Sequence, residues 1–274
     1  MVKFEHTVFA LPFAFLGALL ARGGLPSAWQ TGWIVAAMVG ARSAAMAFNR
    51  MADLHYDNMN PRTRERALPR GTLSMQFAIV FTIAMSLLFV FSAWQLNPLC
   101  LYLSFPALAI LFFYSYTKRF TTLSHIVLGF SVGCAPLAAW LAIRGEFAWP
   151  PVLLSGAVTF WVAGFDLIYA LQDIEFDRKA NLFSLPAKLG VAPALRISTL
   201  FHGATVVLLA ATAMLTNSGW IAYTGIAVVA MILYWEHRIV TPNDLSRVNV
   251  AFFNLNGYVS ILLLLTFAGD IFIK

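Results

Sequence analysis

The sequence predicts an all-helical polytopic membrane protein, with nine transmembrane helices around a central cavity. Three observations carry that expectation. Mean hydropathy is +0.77 and only 11% of the 274 residues are charged, which excludes an ordinary soluble domain. Apolar runs of about 20 residues, the length that crosses a hydrocarbon core as a helix, recur along the whole chain. The basic residues collect in every second connection between those runs.

Taken in order, the expected spans are Phe4–Ala21, Trp29–Asn49, Phe77–Trp94, Leu99–Tyr116, Leu123–Ile143, Val152–Leu171, Val191–Leu215, Trp220–Ile239 and Val248–Ile273. The first is a span rather than a signal peptide, because "KFEHTVFALPFAFLGALLARGG" has an acid near its start and no small-residue cleavage pattern. Pro106 and Pro136 fall inside the fourth and fifth spans, where neighbouring helices satisfy the freed carbonyls. Cys100 and Cys134 both lie in apolar runs, which argues against a disulfide framework or a thiolate metal site. No linker interrupts the pattern, so residues 1–274 read as a single transmembrane domain.

The charges orient the bundle. Of the 18 Lys and Arg residues, Arg22, Arg144 and Lys274 fall on one side, and Arg42 lies within the second span. The remainder sit at the N-terminus, in the even-numbered loops or in turns beside them, and the positive-inside rule makes that side cytoplasmic. The net charge of +6 is accounted for by this rim, so it does not indicate a nucleic-acid partner.

One loop departs from a plain basic rim. "FNRMADLHYDNMNPRTRERALPRG" sets Asp53 and Asp57 four residues apart among several Arg residues. On a helix that spacing stacks the two acids one turn apart. A lone pair carries little weight, but the loop after the sixth span, "FDLIYALQDIEFDRKANLFSLPAKLG", repeats the spacing in Asp173 and Asp177. Four spans separate the loops, so both pairs share a membrane face. Mg²⁺ prefers oxygen ligands and bridges carboxylates to phosphate oxygens, reversing the local sign, while Arg62, Arg66, Arg70, Lys118 and Arg119 supply cations for the remaining charge. Acidic pairs beside basic loops at a membrane surface suit a lipid diphosphate.

These residues resemble the UbiA superfamily of intramembrane prenyltransferases. "NRMADLHYD" is similar to its first motif, N-D-x-x-D-x-x-x-D, and "YALQDIEFD" to its second, Y-A-x-x-D-x-x-x-D. "ALPRG", "YSYTKRFTTLSHIVLG" and "FNLNGYV" extend the likeness. Arg50 stands where many members have Asp, which leaves the first motif to Asn49, Asp53 and Asp57. The resemblance implies transfer of a polyprenyl chain from its diphosphate onto an acceptor, often an aromatic ring in ubiquinone or menaquinone synthesis. It implies that Asp53, Asp57, Asp173 and Asp177 hold Mg²⁺, directly or through diphosphate, and that Asn49, Arg62, Arg66 and Lys118 contact the diphosphate. The location implied is a bacterial inner membrane with the active-site loops cytoplasmic. "VKFEHTVFALPFAFLGALLA" with "GARSAAMAFNRMAD" is most similar to bacterial members that act on 4-hydroxybenzoate or on a dihydroxynaphthoate, with haem, chlorophyllide and glycerol phosphates as the competing acceptors of the superfamily.

Arg42 bears on the acceptor. It lies seven residues before Asn49, two helical turns inside the span. An intramembrane Arg costs about 2.5–3.5 kcal/mol on an insertion scale, so it faces a partner or a cavity. Either it pairs with Asp166, which lies equally far before Asp173, or it binds the carboxylate of an aromatic acid as a bidentate fork. The resemblance favours the second reading and places Arg42, Asp166 and Tyr169 at the acceptor. His6, His55, His125, His202 and His237 show no metal-ligand spacing and read as structural; Asn254 and Asn256 read as interhelical hydrogen-bonding groups. A cation-coupled transporter also places acids and a buried Arg in a bundle. Here, though, the acids lie at span ends, among cations suited to phosphate.

Overall fold

In a bilayer, apolar runs must satisfy their own backbone groups, and the helix does so within each segment. The computed structural model describes residues 7–273, and these residues are helical nearly throughout. The elements are α1 (Thr7–Arg22), α2 (Ala28–Ala52), α3 (Leu54–Met59), α4 (Met75–Leu96), α5 (Pro98–Thr117) and α6 (Ser124–Arg144). There follow α7 (Trp149–Ala170), α8 (Ile174–Lys179), α9 (Leu185–Leu189), α10 (Val191–Leu215), α11 (Trp220–Ile239) and α12 (Asn256–Ile273).

Among the described residues, a long helix occupies each of the nine expected positions. The seventh and eighth expectations coincide with α10 and α11 residue for residue. Seven of the long helices are long and apolar enough to cross a membrane by length and composition. The other two are α1 and α11. The former has 16 described residues; Phe4–His6 of the expected first span lie outside the described residues. The latter carries Glu236, His237 and Arg238 near its end. The ninth expected span is interrupted, with a π-helical turn at Val250–Leu255 leading into α12.

The most enclosed helix, α7, packs against α6 on one side and α10 on the other. Helix α1 bridges α6 and α12, α11 joins α10 to α12, and α2, α4 and α5 complete the bundle. The largest buried cluster joins Phe13 and Leu16 of α1, Trp161 and Phe165 of α7, Leu209 of α10 and Phe267 of α12. Lipid-exposed helices gain little from hydrophobicity alone, so small residues permit close contact. A β-carbon at Gly129 would collide with the Thr159 carbonyl of α7, and one at Gly17 with the backbone of Pro136 in α6. Asn256 is buried, donating to Glu236 at 3.1 Å and accepting from Trp161 Nε1 at 2.7 Å, as expected of an interhelical group. Asn254 is exposed instead.

One local feature positions the acid pairs. Helix α2 stops at Ala52, and Asp53 adopts φ −92°, ψ 4° before α3 resumes. At the corresponding place α7 passes into a 3₁₀ turn, Leu171–Asp173, and Asp173 adopts φ −105°, ψ 6° before α8. Backbone near ψ 0° breaks a helix without reversing it. Each span therefore ends on its first acid, and a short following helix carries the second.

A candidate active site at the ends of α2 and α7

Every acid of the two motifs meets a cation. Arg62 grips Asp173 with two bonds, Nε to Oδ1 at 3.0 Å and Nη2 to Oδ2 at 2.5 Å, and also donates to the Tyr169 hydroxyl at 3.0 Å. Arg66 Nη1 reaches both oxygens of Asp57, at 2.7 and 2.9 Å. Lys118 donates to Asp177 at 3.3 Å. Asp53 is held more loosely: Asn49 donates to it at 2.9 Å, and Arg119 lies 3.8 Å away. These residues line a cavity of about 190 Å³. The pairs run between the motifs, because Arg62 follows the first motif yet holds an acid of the second.

Burial is uneven, and so is its effect. Side-chain exposure is 7% at Asp57, 2% at Asp177 and 11% at Asp173, but 31% at Asp53. Partial burial, followed by repulsion from Asp57, pushes the Asp53 carboxyl up to about 6, although Arg119 and Lys118 oppose the shift. The Arg62 guanidinium is raised above its ordinary value: burial works against its charge, but the bond and charge of Asp173 outweigh that. Arg70, grouped with these cations in the sequence, pairs with exposed Glu65 at 3.5 Å instead.

Deeper in the bundle lies a second cavity of about 850 Å³, within the usual size of a ligand site. Asn49, Arg50, Arg62, Arg66, Tyr114, Asp166 and Tyr169 line both cavities. Its apolar wall includes Leu128, Val162, Phe165, Phe252 and Phe253, and Tyr169 stacks on Phe252 with ring centroids 4.1 Å apart. The π-helical turn brings both Phe252 and Phe253 to this wall. Among the described residues Arg42 makes no hydrogen bond or ion pair, and its Nε is buried without a partner.

The pairing of Arg42 with Asp166 is not seen. Asp166 Oδ2 instead lies 2.6 Å from His125 Nδ1 of α6, a residue whose side chain is fully buried. His125 was assigned a structural role by its sequence; its place beside a cavity acid was missed because the two residues are 41 positions apart. A buried imidazole at the start of a span was the available signal. Tyr114 reaches the cavity, while Tyr116 is exposed and stacks under Arg119 at 4.7 Å.

The donor set fits a hard divalent cation. The four motif carboxylates, Asp166 and the Asn49 and Asn60 amides line the smaller cavity, with no Cys or His among its lining residues. Among the described residues no three His, Cys, Asp or Glu side chains form a ready cage. That arrangement suits Mg²⁺, which uses one or two carboxylates and completes its shell with phosphate oxygens and water.

A model of the UbiA prenyltransferase family matches residues 10–258, a stretch that contains both acid pairs and Arg42. The chain belongs to the UbiA prenyltransferase family. It is 28% identical over 256 residues to the 4-hydroxybenzoate octaprenyltransferase of Methylobacillus flagellatus, covering 93% of this chain and 86% of that one. With the Pseudomonas aeruginosa enzyme of the same name it shares 32% over 218 residues, 79% of this chain and 73% of the relative. Among solved structures, the apo UbiA homolog from Aeropyrum pernix K1 superposes with TM-score 0.89 at 37% identity, covering 98% and 99% of the two chains. A UbiA homolog from Archaeoglobus fulgidus bound to DMAPP and Mg²⁺ has TM-score 0.66 at 21% identity, covering 94% and 95%, and shares the fold with this family member.

Proposed function

We propose that this chain transfers a polyprenyl group from its diphosphate onto the ring of an aromatic acid, 4-hydroxybenzoate or a dihydroxynaphthoate, with Mg²⁺. The observation that carries the reading is an Arg42 with no hydrogen bond or ion pair among the described residues, in a large, aromatic-walled cavity beneath a layer of paired acids and cations. Relatives named for octaprenyl transfer to 4-hydroxybenzoate support it, as does a fold neighbour that binds DMAPP with Mg²⁺.

Each group has a task in this reading. Arg62, Arg66, Lys118 and Asn49 would take diphosphate oxygens, and Asp53, Asp57, Asp173 and Asp177 would hold Mg²⁺, directly or through the diphosphate. Bound Mg²⁺ neutralises charge growing on the diphosphate as the allylic C–O bond breaks. The faces of Tyr169, Phe252 and Phe253 attract the allylic cation, and the apolar wall keeps water from quenching it. Arg42 holds the acceptor's carboxylate, with Asp166 and Tyr169 beside the ring. The basic end faces the cytoplasm in this arrangement, so a cysteine placed at Ser74 should escape a membrane-impermeant label, and labelling from outside would reverse it.

The deciding experiment gives the purified chain both acids, several prenyl diphosphates, and either Mg²⁺ or chelator, with products identified by mass. A prenylated acid that forms only with Mg²⁺ is the expected result. No prenylated product from any pair would refute the reading.

A further inference from the structure

We infer that Asp166 and His125 form a proton-accepting pair in which Asp166 takes the acceptor's phenolic proton and His125 orients it. The inference rests on the aromatic-acceptor reading above and adds a catalytic residue and a positioning residue to it.

The pair has the geometry that this work requires. Asp166 Oδ2 is 2.6 Å from His125 Nδ1, and Asp166 faces both cavities. Oδ1 makes no hydrogen bond among the described residues and is not buried, so it is the oxygen left free to accept a proton or hydrogen bond from a ligand. The side chain of Asp166 is 21% exposed and that of His125 fully buried. The imidazole therefore never meets the acceptor and acts only through the carboxylate. A buried His that donates Nδ1–H to a carboxylate fixes which oxygen lone pairs remain free. The titratable and charged groups that line this cavity with Asp166 are Arg42 and Arg50 from α2, Arg62, Glu65 and Arg66 from the loop after α3, Tyr114 from α5 and Tyr169 from its own helix.

Place and charge assign the acceptor's two ends. Arg42 lies eleven residues before Asp53 and Asp166 seven before Asp173, the acids on which the two spans end. Arg42 therefore stands about one helical turn deeper beneath the diphosphate layer than Asp166, on a different helix. An aromatic acid that gives its carboxylate to the guanidinium directs a hydroxyl on the far side of its ring towards the free carboxylate oxygen. A ring carbon next to that hydroxyl then faces the allylic carbon.

The step balances without a further reagent. The phenolic O–H proton passes to Asp166 as the ring carbon bonds to allylic carbon C1, and the C–O electron pair leaves on diphosphate. The resulting dienone loses its ring proton to the released diphosphate, and its oxygen takes back the proton held by Asp166. Deprotonation raises the electron density of the attacking carbon, and a positioned base commonly contributes about 10²- to 10⁴-fold.

The test uses purified full-length protein, a prenyl diphosphate, and two acceptors: 4-hydroxybenzoate and its 3-fluoro derivative, whose phenol ionises more readily. Asp166→Asn should lose about a hundredfold in kcat on 4-hydroxybenzoate, with KM for the prenyl diphosphate within threefold of wild type. On the fluorinated acceptor the loss should shrink to about tenfold or less, because that ring needs the base less. His125→Phe should lose about tenfold on 4-hydroxybenzoate, and His125→Asn, whose amide restores a donor near Nδ1, should recover most of it. Equal losses on both acceptors, or turnover in Asp166→Asn within threefold of wild type, would overturn the pair as proton acceptor. If Asp166→Asn does not fold, the two His125 variants decide alone: equal rates for Phe and Asn contradict the inference. Wild type that prenylates neither of these acids nor a dihydroxynaphthoate would fail the proposed function itself, and the pair would lose its role with it.

Discussion

In the loop-end layer every motif acid has a cation within 4 Å; in the cavity below, Arg42 makes no hydrogen bond or ion pair among the described residues, and its Nε is buried without a partner. The difference teaches what each layer is waiting for. The five carboxylates of this cavity, Asp166 among them, cancel in formal charge against Arg50, Arg62, Arg66, Lys118 and Arg119, so neither a lone anion nor a lone cation finds a strong field there. In the proposed function, a metal and a diphosphate bound together would exchange these internal pairs for external ones, with the carboxylates holding the metal and the guanidinium groups the phosphate oxygens. Breaking a buried pair by removing one member leaves the other uncompensated, whereas exchanging both partners does not. In that reading Arg42, without an ion pair among the described residues, would need only one anion, such as a carboxylate.

The largest way to break this contrast is to remove an acid from the paired layer. Asp57→Asn, Asp173→Asn and Asp177→Asn should each lower turnover by at least about a hundredfold, the size of one lost electrostatic contact to a transition state. Steady-state rates on folded protein check this, and near-normal rates would remove the layer from the chemistry. In the deeper cavity the effect should be smaller and confined to the acceptor. Arg42→Ala forfeits a charge-assisted bond of roughly 1.5–3 kcal/mol, so KM for the aromatic acid should rise about 10- to 100-fold while that for prenyl diphosphate stays put. Arg42→Lys should restore part of it, since an ammonium lacks the planar fork. A change confined to protein yield would make Arg42 structural.

The smallest expected effect sharpens the comparison within the paired layer, at its loosest member. Burial and Asp57 raise the Asp53 carboxyl to about 6, so its proton persists further towards neutrality than an ordinary carboxylate's. Above that pH the oxygens are free for a cation; below it a proton must leave first. In metal-free protein the apparent Mg²⁺ affinity should therefore weaken as pH falls from 7 to 5, by up to about tenfold per unit below 6. Calorimetric titration at several pH values measures the slope, and Asp53→Asn should lose this part of it.

Much of this was legible in the sequence, for identifiable reasons. Span positions follow from run length, and the acid pairs from one helical turn of spacing, a local property that survives folding. The break in both helices at Asp53 and Asp173 was not legible, because four-residue spacing looks the same in a continuous helix as in an interrupted one. Arg42 declared itself by its depth, but its lack of a partner depended on where Asp166 turned. That acid met His125, from a helix whose approach to α7 is set by Gly129 and Gly133. Such cross-helix pairs depend on packing that no single segment encodes.

The central claim is that the paired layer accepts metal and diphosphate as a unit, and coupled binding tests it most directly. Mg²⁺ affinity is measured on the purified chain by calorimetry, with and without a non-reactive thiodiphosphate analogue of the prenyl donor. Exchange of internal pairs predicts that the analogue tightens Mg²⁺ binding tenfold or more, and by linkage that Mg²⁺ tightens the analogue by the same factor. Mg²⁺ affinity unchanged by the analogue would contradict the account.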